Sequence, residues 1–165
     1  MPFSSHTLWW KYPDLTGLVW DDLGQQADES YIFSLAYLLN GIALAGTSPN
    51  GKIFRSIDYG LTWTDLGQQA SETRIYSFAY LGNAIALSCT GNNARILRSI
   101  NYGLTWTDLG QQFSETRIRS LAYLGNGIVL AGTYPNGKIL RSIDNGLTWT
   151  DLGQQFSQTY IYSLA

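Results

Sequence analysis

Along this chain short apolar runs alternate with clusters of Gly, Asn, Asp and Ser, and no apolar stripe recurs at helical spacing. Residues 74–81, Arg-Ile-Tyr-Ser-Phe-Ala-Tyr-Leu, predict a strand A, and Gly82-Asn83 a turn before strand B at 85–88. The loop Gly91-Asn92-Asn93 leads to strand C at 95–100, and a turn at Asn101-Tyr102-Gly103 leads to strand D at 104–109. Four short strands joined by tight turns over about 40 residues make an antiparallel meander the size of one propeller blade.

The unit repeats. Trp20, Trp63, Trp106 and Trp149 follow one another at intervals of 43 residues, and the frame Asp-Leu-Gly-Gln-Gln recurs after each, at 22–26, 65–69, 108–112 and 151–155. Between 70–112 and 113–155, 30 of 43 aligned positions are identical. The expected fold is an all-β propeller of four-stranded antiparallel blades, about four per chain, in one domain over residues 1–165. Its parts are a partial blade at 1–26, blades at 27–69, 70–112 and 113–155, and a closing strand at 156–165. A solenoid of stacked hairpins is the alternative that the same period allows.

Each C–D turn carries a motif. Ser56-Ile57-Asp58-Tyr59-Gly60-Leu61-Thr62-Trp63 and Ser142-Ile143-Asp144-Asn145-Gly146-Leu147-Thr148-Trp149 both read Ser-x-Asp-x-Gly-x-Thr-Trp. Ser99-Ile100-Asn101-Tyr102-Gly103-Leu104-Thr105-Trp106 differs only in Asn101, and a degenerate copy at 13–20 keeps Gly17 and Trp20. The pattern resembles the Asp box (BNR repeat) of sialidase-like propellers. An Asp or Asn side chain can bond nearby backbone amides, Gly permits a positive φ, and Trp supplies apolar area between strands. In that family the boxes lie away from the catalytic face, so the resemblance implies a structural role for Ser56, Asp58, Gly60, Trp63, Ser99, Asn101, Gly103, Trp106, Ser142, Asp144, Gly146 and Trp149.

Four full periods need seven residues more than the chain's 165, and 160–165 correspond to most of strand A while residue 1 falls in the register of strand B. A ring can then close with the C-terminal strand A beside N-terminal strands B, C and D. It does so within one chain as four blades or, by strand exchange, as an eight-bladed homodimer; a truncated piece of a longer array also ends in mid-repeat. Phe3, Trp9 and Trp10 match the repeat poorly and are expected in the core, with a cap of the ring or a docking site for a partner as the alternatives.

Composition narrows the chemistry. Net charge is -2, only 13% of residues are charged, and the ten Lys and Arg are spread along the chain, which leaves no electrostatic footprint for nucleic acid or an anionic membrane. Cys89 is the one cysteine and His6 the one histidine, so a disulfide, a cysteine zinc site, a Ser-His-Asp triad and a multi-histidine metal site all lack material. Asp22, Asp65, Asp108 and Asp151 recur beside the Trp and read as caps, not as metal ligands. No cofactor is expected. The start of the chain does not read as a signal peptide, and no apolar run reaches the roughly 18–20 residues that span a bilayer. Low charge beside 14% aromatics suits an extracellular, virion-surface or carbohydrate-facing protein.

A sialidase-like hydrolase needs an arginine cluster, an activated Tyr nucleophile and an acid–base residue on one face. Arg55, Arg98 and Arg141 instead recur just before each box, spread around the ring, and no segment matches the family's catalytic motifs, so the expectation is a binding or structural module without enzymatic activity. A binding site belongs where the repeats differ, on the rim of D–A and B–C connections opposite the Asp boxes. Candidates are Tyr31, Glu72, Arg74, Glu115, Arg117, Arg119 and Tyr160 from the D–A side, with Asn50, Asn93 and Asn136 from the B–C loops. Phe33, Tyr76 and Tyr162 share the register of Arg119. Arg and Tyr together can pair with carboxylates or stack on sugars, so two functions are open: a protein- or surface-recognising assembly module, and a lectin-like multivalent glycan binder.

Overall fold

The computed structural model describes residues 22–165; the degenerate box at 13–20, His6, Phe3, Trp9 and Trp10 lie outside the described residues. Twelve strands follow in order: β1 (Tyr31–Leu39), β2 (Ile42–Ser48), β3 (Lys52–Ser56), β4 (Thr64–Gln68), β5 (Arg74–Gly82), β6 (Ile85–Gly91), β7 (Arg95–Ser99), β8 (Thr107–Gln111), β9 (Arg117–Gly125), β10 (Ile128–Tyr134), β11 (Lys138–Ser142) and β12 (Thr150–Gln154). They form three antiparallel four-stranded meanders, β1–β4, β5–β8 and β9–β12, here called the first, second and third blades. A single bridge, Gly91 to Arg117, joins the second to the third.

Strands A and C fall where the apolar runs place them, whereas B, expected at 85–88, runs on to Gly91, the first residue of the expected loop. Strand D differs: expected at 104–109, it runs Thr107–Gln111. Side-chain bonds from Ser99 and Asn101 hold the chain as a turn through Thr105, so the ladder can begin only past Trp106.

Each blade has two apolar faces, because alternate residues of the inner strands point to opposite sides. The rear face of the first blade, with Leu38, Leu44 and Ile53, packs on the front of the second, with Ile75, Ala86 and Leu97. The rear of the second, with Leu81, Leu87 and Ile96, packs on Ile118, Leu121, Val129 and Leu140 of the third in the same way. Two steric details fix the stacking. A Cβ at Gly46 would stand 2.4 Å from Ile75, and one at Gly103 would stand 2.7 Å from Leu44. Glycine therefore lets the next blade's inner strand and box turn come into contact. The third blade copies both arrangements, with Ile161 on Gly132 and Leu87 on Gly146.

Both ends of the described chain occupy repeat positions. Leu23 lies with Phe54 and Trp63 in an apolar pocket on the front of the first blade, as Leu66 lies against the second. Residues 156–165 run where the next inner strand belongs, yet they form no ladder: Ile161 N–H donates to the Thr133 carbonyl at 3.1 Å. The expected partial blade at 1–26, on which the expected ring closure rests, lies outside the described residues as far as residue 21.

Candidate binding surface

The box turns are closed hydrogen-bond systems. Ser56 Oγ accepts from the amides of Asp58 (3.2 Å) and Gly60 (2.8 Å) and donates to Asp58 Oδ1 (2.7 Å). The Asp58 carboxylate accepts from Thr62 N–H (2.9 Å) and Thr62 Oγ1 (2.6 Å). Ser99–Thr105 and Ser142–Thr148 repeat the pattern, and Tyr59, Tyr102 and Asn145 adopt φ of 62°, 56° and 59° before a positive-φ glycine. Hydrogen bonds from Thr62, then from Ser56, hold the Asp58 carboxyl down at about 2. For Asp144, burial pushes the pKa up, but bonds from Thr148, Ser142 and the Leu147 amide outweigh it, and the net direction is down. These bonds commit the Ser, Thr and Asp or Asn side chains of each box to their own turn.

At the opposite rim the glutamates turn inward. Glu29, Glu72 and Glu115 side chains are wholly buried. Glu115 accepts from the Asn136 side-chain amide at 2.9 Å and faces Lys138 at 3.5 Å; Glu29 does the same with Asn50 at 2.9 Å and Lys52 at 4.0 Å. Glu72 accepts from Asn93 at 2.8 Å and lies 3.4 Å from Arg95 Nε. Each cation continues to a strand-D carboxylate: Lys52 to Asp65, Arg95 to Asp108, Lys138 to Asp151. The Asp151 bond holds the Lys138 ammonium above its usual range, with burial opposing. So Glu72, Glu115, Asn50, Asn93 and Asn136 do come together, but as internal staples between D–A and B–C loops, with their carboxylates shut off from solvent. Glu29 belongs to this set and escaped the sequence reading; the fixed spacing of 21 residues from each Glu to its Asn was the available signal.

The arginines and tyrosines form the outer part, with Arg74, Tyr76, Arg117 and Arg119 half-buried and Tyr31, Tyr160 and Tyr162 exposed. Strands β1, β5 and β9 and residues 160–162 present two rows at the rim. One row holds Phe33, Tyr76, Arg119 and Tyr162: Phe33 meets the edge of Tyr76 at 5.6 Å between ring centroids, and Arg119 sits between Tyr76 (4.9 Å) and Tyr162 (5.2 Å). The other row holds Tyr31, Arg74, Arg117 and Tyr160. Gly91 pairs with Arg74 on one side and Arg117 on the other, which brings the two arginines to one edge. A Cβ at Gly91 would meet the Tyr76 ring at 2.5 Å, so the glycine makes room for that ring. Arg74 donates to Tyr76 Oη at 3.3 Å, and Arg117 lies over Tyr134, whose ring stacks on Tyr160 at 4.5 Å. The Tyr160 hydroxyl is held above its usual pKa by its hydrogen bond with Tyr134.

Among the described residues, none of Arg74, Arg117 and Arg119 has a carboxylate within ion-pair distance, and buried Arg119 Nε has no hydrogen-bond partner. Guanidinium groups backed by aromatic faces and short of acceptors are suited to receive anionic or planar polar groups. The described residues contain no cluster of three or more His, Cys, Asp or Glu fit to hold a metal ion, and no helix long and apolar enough to cross a membrane.

No family model and no curated protein sequence matches the chain. Solved structures do. YCF48 bound to D1 peptide superposes with a TM-score of 0.62 at 21% identity, over 73% of this chain and 40% of that one. YCF48 from Cyanidioschyzon merolae gives 0.63 at 18% identity, over 78% and 38%. The GH74 xyloglucanase from Xanthomonas campestris gives 0.57 at 22% identity, over 73% and 20%. The chain thus spans less than half the length of these proteins, and the likeness establishes a propeller-type fold.

Proposed function

We propose that the chain is a non-catalytic binding module that holds a carboxylate-bearing protein segment on the Arg–Tyr surface of its rim. The observation that carries this reading is Arg119, clamped between Tyr76 and Tyr162 with Nε unpartnered, beside two more guanidiniums that lack a carboxylate. YCF48, a fold neighbour, is solved with a peptide bound, which supports a peptide as the ligand class. A xyloglucanase is also a neighbour, but glycoside hydrolysis ordinarily takes two carboxyl groups facing the substrate, and the rim glutamates are committed to staples. A second reading rests on the exposed Tyr31, Tyr160 and Tyr162 rings, which could stack on sugars in a lectin-like mode.

The test is fluorescence anisotropy with a labelled Glu-rich peptide and a neutral control, beside a glycan array. The acidic peptide should bind with an affinity that falls as salt rises, and Arg119→Gln should weaken it about tenfold, the loss of a charge-assisted contact. Equal binding of both peptides would sink the proposal; saturable, sugar-competed binding on the array would favour the lectin.

A further inference from the structure

We propose that the second and third blades share one seat for a single side-chain carboxylate, formed by Arg74, Arg117 and Arg119 around the Tyr76 hydroxyl, which donates to the bound group. This rests on the rim as a site for acidic protein segments and fixes where on the rim one carboxylate sits. Gly91 organises the seat. It pairs with Arg74 of β5 and with Arg117 of β9, and directly paired residues project to the same face of a sheet, about 5 Å apart at Cβ. Two arginine side chains therefore flank the bare backbone of Gly91, and the Tyr76 ring lies in the gap. From the point where a Gly91 Cβ would stand, the nearest ring carbon is 2.5 Å away and Tyr76 Oη 3.2 Å away.

Two bulges aim the other groups. The ladder of β5 with β6 passes from Ile75 to Ser77, and that of β9 with β10 from Ile118 to Ser120, so Tyr76 and Arg119 are each an extra residue without a ladder partner. Such a bulge turns its side chain out of the strand's alternation. Tyr76 swings over Gly91, and the Arg119 guanidinium stacks on its ring at 4.9 Å. Arg74 Nη1 donates to Tyr76 Oη at 3.3 Å. That bond takes a lone pair of the hydroxyl and leaves its proton for an acceptor. A carboxylate meets these donors with acceptors on both oxygens, whereas a carboxamide turns its own N–H groups toward them. The seat occurs once among the blades. The repeat equivalents of Tyr76 are Phe33, which lacks a hydroxyl, and Arg119; those of Gly91 are Ser48 and Tyr134, which carry side chains where Gly91 has none.

Fluorescence anisotropy on the full chain tests the seat with two labelled peptides, one carrying a single Glu in a neutral sequence and the other Gln in its place. The wild type should bind the Glu peptide at one site per chain and about tenfold or more tighter than the Gln peptide. Tyr76→Phe keeps a ring over Gly91 and against Arg119, and it copies Phe33 of the first blade, so the variant should melt with the wild type. It should weaken the Glu peptide about tenfold and the Gln peptide hardly at all, which narrows the ratio between them. Arg74→Gln should weaken the Glu peptide as well. The double variant should lose less than the two single losses multiplied, because Arg74 holds the hydroxyl that Tyr76→Phe removes. A Tyr76→Phe protein that keeps the full preference for Glu overturns the seat, and the rim reading then stands if Arg119→Gln still weakens binding. A wild type that binds the Glu and Gln peptides alike overturns both.

Discussion

The C–D turns and the opposite rim are made from the same repeat and have drifted differently. At the turns, three copies keep Ser, Asp or Asn, Gly, Thr and Trp, and the bonds match from blade to blade. On the rim, one register holds Phe33, Tyr76, Arg119 and Tyr162, and the next Tyr31, Arg74, Arg117 and Tyr160. The difference follows from where polar groups find partners. Inside a turn each group serves a neighbour, so one substitution orphans several atoms. On the rim the rings and guanidiniums lean on one another with little directional bonding, so exchange of one for another is cheap and composition is free to follow a ligand. The staples show that the line does not run simply between the two faces: they lie at the rim and are as constant as the turns.

Glu115→Ala should separate staple from surface most sharply. It removes a buried carboxylate and leaves the Asn136 amide without its acceptor and Lys138 with Asp151 alone. The expected loss is about 2–4 kcal/mol in urea unfolding followed by tryptophan fluorescence. Arg119→Gln should stay within about 0.5 kcal/mol of wild type in the same assay while binding falls. Equal losses in the two variants would erase the distinction. Asp144→Ala comes next, at about 1 kcal/mol, because the amides it leaves are solvent-facing and can bond water.

Much of the architecture was legible because it is local and repeated. The 43-residue period, the turn signals and the box residues placed the strands of all three described blades, and strand D slipped only because the turn's side-chain bonds reach farther than its glycine suggests. The staples were half legible: Glu72 with Asn93 and Glu115 with Asn136 stood out as rim residues, but only the packing of D–A against B–C loops shows that the glutamates point inward. The clamp on Arg119 was not readable at all beyond a shared register, since it depends on how closely successive inner strands approach. Lys52, Arg95 and Lys138, which tie the staples to strand D, carry no signal until Asp65, Asp108 and Asp151 are placed beside them.

Acid titration offers the smallest and most selective comparison, because Asn101 is a built-in control. Asp58 and Asp144 are held below the usual carboxylate value of 3.8, Asp58 at about 2. A carboxyl whose folded pKa is depressed contributes stability that is fully present above its unfolded value and is lost as pH falls through the folded one. Between about pH 4 and pH 2, then, the first and third box turns weaken and the second does not. Asp58→Asn should flatten the fall in melting temperature over this window by a degree or two, since one exposed turn is a small part of a chain this size. Asn101→Asp should steepen it: its new carboxylate can accept from Thr105 N–H and Thr105 Oγ1, as Asp58 does from Thr62. At neutral pH both variants should melt close to the wild type, because Asn and Asp each supply an acceptor to the amide of residue i+4. Profiles that coincide for all three proteins from pH 4 to 2 would mean that folding does not lower the pKa of the box carboxylates, and that Asp and Asn then serve these turns equally as acceptors at every pH.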